Sequence, residues 1–137
     1  MSGESGQRES PYELLQRGAA LLRDRHDAQA AIVLERAALL EPGKGSILEA
    51  LGRAYFNSAQ ANRARATFEA LLEVDPSADY AHYALGLSLK RLGRVAEGAT
   101  HLRLAVALDP SSTLYRRALA RMTSAERQRN PAGPDPA

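Results

Sequence analysis

Residues 45–78 read GSILEALGRAYFNSAQANRARATFEALLEVDPSA, and the architecture of the whole chain follows from them. Two segments, 46–58 and 62–75, carry apolar residues three and four apart, the spacing of one helix face, and the short polar break SAQA separates them. Gly52 falls inside the first segment, where glycine costs roughly 1 kcal/mol against alanine. A glycine there marks a close approach of two helices, because any side chain would push the paired helix away. Ala64 is the matching small residue on the second segment, and Pro76 stands where the second helix must stop.

The same pattern continues in both directions. Gly18, Gly52 and Gly86 lie 34 residues apart, as do Pro42, Pro76 and Pro110. Further columns in register are Leu14, Leu48 and His82; Leu21, Tyr55 and Leu89; Ala30, Ala64 and Gly98; Leu34, Phe68 and Leu102; and Ala37, Leu71 and Ala105. After the third copy, residues 113–127 form one more amphipathic segment with Tyr115, Leu119 and Met122 on a single stripe.

This period, with Leu51-Gly52, Tyr55, Ala64, Phe68 and Pro76 in the middle copy, resembles the tetratricopeptide repeat. Leu48 stands where the family usually has Trp, and Arg17 precedes Gly18 where Leu is usual. The resemblance implies an all-α solenoid, a right-handed superhelix of antiparallel helix pairs with seven helices in all. The expected organisation is a disordered tail over 1–10, repeats over 11–44, 45–78 and 79–112, a capping helix over 113–128 and a second disordered tail over 129–137.

Composition narrows the function classes. The chain of 137 residues has no cysteine, which removes disulfides, thiolate metal sites and cysteine nucleophiles. No apolar run approaches the roughly 18 residues of a membrane span, and no signal-like segment opens the chain, so a cytoplasmic protein without membrane contact is expected. Net charge is only +2. Lys44 and Lys90 are the only lysines among 18 basic residues, a bias that fits the codon usage of a GC-rich, bacterial-like genome better than phosphate recognition.

Catalytic patterns are missing from the sequence. His26, His82 and His101 occupy three different places in the repeat, and no serine has a matching histidine and acid. Glu97 and His101 share a helix face, but two metal-ligand types without a third are accounted for by a solvated or locally hydrogen-bonded pair. No metal, cofactor or enzymatic activity is expected. The C-terminal helix is locally basic through Arg116, Arg117, Arg121 and Arg127, yet no nucleic-acid motif accompanies it, and a polar outer face is what a solenoid cap requires.

The resemblance also implies where a ligand would lie. Solenoids of helix pairs present the first helix of each repeat on a concave wall. The family's groove positions correspond to Tyr12, Leu15 and Leu22 in repeat one, Glu49, Arg53, Phe56 and Asn57 in repeat two, and Tyr80, Tyr83, Leu87, Lys90 and Arg91 in repeat three. The cap adds Arg117 and Arg121. The family's carboxylate clamp for acidic C-terminal tails needs Lys and Asn where this chain has Leu15 and Ala19, and Asn where it has Arg53. Aromatic and apolar residues beside cations instead fit a protein or peptide segment with apolar anchors and acidic residues. The expected function is therefore a non-catalytic interaction adaptor or scaffold. Two alternatives are a homo-oligomer formed through end-to-end contacts at the outer face of repeat one or through groove contacts, and an accessory nucleic-acid factor using the arginine-rich helix.

Overall fold

The computed structural model describes residues 8–129. Among them are α1 (Pro11–Arg23), α2 (Asp27–Leu40), α3 (Gly45–Asn57), α4 (Ala61–Val74), α5 (Asp79–Arg91), α6 (Val95–Leu108) and α7 (Thr113–Arg129), with no strand among the described residues. Each helix packs on its sequence neighbours, and α3 also touches α1 and α5, so the first helices of the three pairs stand side by side. This is the all-α tetratricopeptide-type solenoid expected from the sequence.

The glycine columns are the points where paired helices cross. A Cβ on Gly18 would stand 2.5 Å from Leu34 Cγ, one on Gly52 2.6 Å from Phe68 Cζ, and one on Gly86 2.9 Å from both the Gly98 carbonyl oxygen and Leu102 Cγ. The large residue of the second helix thus fills the space that the glycine leaves. Leu34, Phe68 and Leu102 are fully buried, as are Ala30 and Ala64 in the small-residue column.

The break inside each repeat is a Schellman turn, built three times with the same bonds. His26, Gln60 and Arg94 donate their backbone N–H to the carbonyls of Leu21, Tyr55 and Leu89, each at 2.8 Å. One residue earlier, Arg25, Ala59 and Gly93 bond to Leu22, Phe56 and Lys90 with φ of 64°, 65° and 81°. Only the third turn carries glycine at this left-handed position, where glycine is the residue without a Cβ penalty.

At the N-terminal end, Ser10 and Glu13 form a reciprocal capping box, with Pro11 in the first turn of α1. Glu9 accepts two bonds from the Arg17 guanidinium, at 2.5 and 2.8 Å. Residues 8–10 of the expected tail are therefore engaged with α1, which moves the start of the ordered chain ahead of residue 11. Residues 1–7 and 130–137, the rest of the two expected tails, lie outside the described residues.

At the other end, α7 lays Ala118 and Met122 against α6, while its buried Tyr115 contacts Asp79 and Tyr83 of α5. Met122 is completely buried, its Cε 3.3 Å from where a Cβ on Gly98 would be. Arg103 of α6 and Glu126 of α7 add an ion pair at 3.4 Å. Its exposure makes it a small contribution beside the apolar seam.

Candidate partner-binding groove

Six of the sequence-predicted residues converge on one pocket. Arg53, Phe56 and Asn57 of α3 and Tyr80, Tyr83 and Leu87 of α5 line it, together with Ala84 and with Phe68 from α4 below. It offers about 150 Å³ of room, the scale of a single side chain rather than a small-molecule cavity.

The aromatic floor is continuous. The Phe68 and Tyr80 rings meet edge to face at 6.2 Å between centroids, Tyr80 and Tyr83 lie at 5.8 Å, and Tyr83 and Tyr115 at 5.1 Å. Tyr115 donates its hydroxyl to Asp79 Oδ2 at 2.7 Å, which ties the cap to the start of α5. Both groove tyrosines are half-buried, so each packs on one side and faces the pocket on the other. Burial pushes the Tyr80 hydroxyl up to about 12; Arg53 pulls it down, while Glu49 and Tyr83 add to the rise. Tyr83 is raised as well, by burial against the opposing pull of Arg121. At neutral pH both phenols keep their proton and can donate a hydrogen bond to a ligand acceptor.

Three cations border this floor: Arg53 at the pocket edge, Arg121 acting on Tyr83, and Arg91 on Phe56. The Arg91 guanidinium lies 4.0 Å from the Phe56 ring centroid and donates to the Phe56 carbonyl at 3.2 Å, so it both stacks on the ring and satisfies the C-terminal end of α3. Arg53, Lys90, Arg117 and Arg121 are exposed. Glu49 is half-buried near Tyr80. Asn57 is shared with the first repeat, donating to Asp27 Oδ1 at 3.3 Å.

Repeat one contributes differently. Leu22 is buried in the main core with Leu51, Ala54 and Ala81 and presents no groove surface; this corrects its assignment as a ligand contact. Its position one residue before the last of α1 tucks it under the Schellman turn. Tyr12 is 66% exposed and accepts a bond from Gln16 Nε2 at 2.7 Å. With the half-buried Leu15 it borders a separate recess between α1 and the start of α3. Phe68 joins the groove floor although its column marks it as a packing residue, and Tyr115 extends the ring series beyond the pocket through Tyr83; nothing in the repeat pattern shows either.

The Glu97 and His101 pair is divided between other partners. Glu97 takes Arg94 at 2.7 Å, and His101 turns to His82, with Nδ1 atoms 3.1 Å apart. Among the described residues no group of three or more potential metal-ligating side chains occurs, and no helix is long and apolar enough to cross a membrane.

Residues 49–113 match the family model described as tetratricopeptide repeat, while the first repeat, with its divergent Arg17, lies outside the match. No curated protein matches the sequence significantly. The first tetratricopeptide domain of Spaghetti (RPAP3), solved with the HSP90 peptide SRMEEVD, superposes with a TM-score of 0.80 at 15% identity, covering 85% of this chain and 92% of that one. The Sgt2 domain from Aspergillus fumigatus gives 0.82 at 20% identity, covering 93% and 85%. The Yersinia enterocolitica type III secretion chaperone SycD, in complex with a peptide of the translocator YopD, gives 0.71 at 17%, covering 82% and 86%. At these identities the likeness is one of fold, and it agrees with the glycine, proline and Schellman periodicities at 34 residues: the chain has the tetratricopeptide-repeat fold, and its residues 49–113 match that family's model.

Proposed function

We propose that the protein is a non-catalytic adaptor that binds a peptide or helical segment of a partner protein in the groove between α3, α5 and α7. The carrying observation is the pocket bounded by Phe56, Tyr80, Tyr83 and Leu87 with Arg53 at its edge. It suits one apolar anchor of the partner, with an acidic neighbour held by Arg53, Arg121 or Lys90. Aromatic and arginine side chains of this kind dominate binding energy where water is excluded. Two of the similar domains are solved with peptides, which supports a peptide-sized occupant. We place the protein in the cytoplasm.

Replacing Tyr80 and Tyr83 would disturb the aromatic floor itself, so the test uses the accessible edge. Wild type, Arg53→Glu and Leu87→Asp are compared in affinity capture from native lysate read by mass spectrometry, with circular dichroism confirming equal helicity. The groove reading requires partners that bind wild type and are lost from both variants. An unchanged partner set in both would refute it.

A further inference from the structure

His82 and His101 stand where the other repeats carry no histidine. The equivalent residues are Leu14 and Val33 in repeat one and Leu48 and Thr67 in repeat two. Leu14 and Val33 are buried in one apolar cluster. In repeat three the same α5–α6 contact is made by two imidazoles meeting edge to edge, 5.3 Å between centroids with ring planes 21° apart, and His82 is only 8% exposed.

The bonds fix the protons. The Pro76 carbonyl, 3.0 Å from His82 Nε2, can only accept, so Nε2 carries hydrogen and a neutral His82 has its lone pair on Nδ1. His101 must then donate from its own Nδ1 across the 3.1 Å gap. One extra proton on His101 Nε2 leaves this bond intact. A second, on His82 Nδ1, sets two N–H donors and two positive charges face to face.

The surroundings offer limited relief. Glu69 of α4 and Glu97 of α6 are the acids that act on His101, and each already holds an arginine, Arg65 at 2.6 Å and Arg94 at 2.7 Å. In the turn before α5, Asp75 is occupied with Ser77, and on α5 itself Asp79 accepts from Tyr115. Burial first, then the charge of His82, holds the His101 imidazole below its ordinary value against the pull of both glutamates. The neutral ring is thus favoured by folding, and its stabilising effect is lost as pH falls below the ordinary histidine range.

We propose that this histidine pair is a pH-sensitive joint that regulates the groove. His82 lies between Tyr80 and Tyr83 in sequence, and its Pro76 bond anchors the turn that starts α5. Double protonation parts α5 from α6 at the His82–His101 contact, strains that anchor and moves the aromatic floor. As regulation of binding, this rests on the groove being the binding surface; the coupling between the histidines and the tyrosines stands by itself.

The test is NMR titration of the ligand-free full chain from about pH 8 to about pH 5. The imidazole signals of His82 and His101 and the ring signals of Tyr80 and Tyr83 are followed together. The expected result is a shift of both tyrosines with the same midpoint as the histidine pair. The double variant His82→Leu/His101→Val, which copies repeat one, should show no such tyrosine shift. Tyrosine signals that stay fixed while the histidines titrate, or that move equally in the double variant, would overturn the joint. Should that variant not fold, mismatched midpoints in the wild type overturn it equally. Since no ligand is present, failure here leaves the capture experiment at neutral pH as an independent test of the groove.

Discussion

Gly52 and Phe68 occupy one another's space: a methyl group on the glycine would lie 2.6 to 2.9 Å from three atoms of the buried ring. The ring is fully buried and already packed edge to face against Tyr80, so shifting it disturbs the aromatic floor. Gly52→Ala should therefore destabilise the protein by about 1–3 kcal/mol despite alanine's better helix propensity. Gly86→Ala should cost at least as much, because its obstacle is a backbone oxygen of Gly98 that moves only with the whole of α6. Urea denaturation checks both; an unchanged midpoint in either variant contradicts the close-crossing account.

The three Schellman turns make an internal comparison. Ala59 and Arg25 hold the left-handed conformation that Gly93 holds in repeat three. Ala59→Gly removes a left-handed penalty of about 1–2 kcal/mol. It adds glycine's entropic cost of roughly 0.5–1 kcal/mol. A small rise in Tm is expected, with Gly93→Ala lowering it. Opposite signs in thermal melts would show that the turn residue is held by contacts other than its backbone.

Alkaline stability should report on Tyr80. Its folded value of about 12 lies above the ordinary 10.0, so the stabilisation is complete below pH 10.0 and is lost as pH rises toward about 12. Tyr80→Phe keeps the ring against Phe68 and removes the ionising hydroxyl. The variant should match wild type at neutral pH and lose less stability in the alkaline window. Ultraviolet titration of the phenolate, paired with denaturation at each pH, makes the measurement.

The cap depends on Met122. Met122→Ala should cost about 2–5 kcal/mol, since the side chain is fully buried where Gly98 leaves room for it. Chemical denaturation reads the loss. A change confined to a few tenths would mean that α7 is not coupled to the repeats.

Helix order, the crossing points and the cap are legible in the sequence because each depends on residues within one 34-residue period or repeated across it. Leu22 departs from its expected place for a local reason. Its family position faces the groove, but in this chain the side chain turns under the end of its own helix, and position alone does not show that rotation. The conformation of Arg25 and Ala59 is equally hidden, because neither residue type favours positive φ. Contacts between distant columns are the least visible. Tyr83 with Tyr115 and His82 with His101 join helices whose relative placement emerges only when the solenoid is assembled. Charges show their positions in the sequence but not their partners: spacing aligns Glu97 with His101, whereas Arg94 holds it in the fold.

The ring series from Phe68 through Tyr80 and Tyr83 to Tyr115 gives the solenoid a direction of opening. Arrays of this type loosen from their ends, where each unit has a neighbour on one side only. Here the C-terminal end is bolted by aromatic contacts that run through α4, α5 and α7. The N-terminal end has no ring in that series; its tie to the remainder includes the Tyr55 hydroxyl donating to Glu35 at 2.5 Å. Amide exchange should therefore be fastest in α1 and α2 and slowest around α5, leaving the groove on the half of the molecule that opens last.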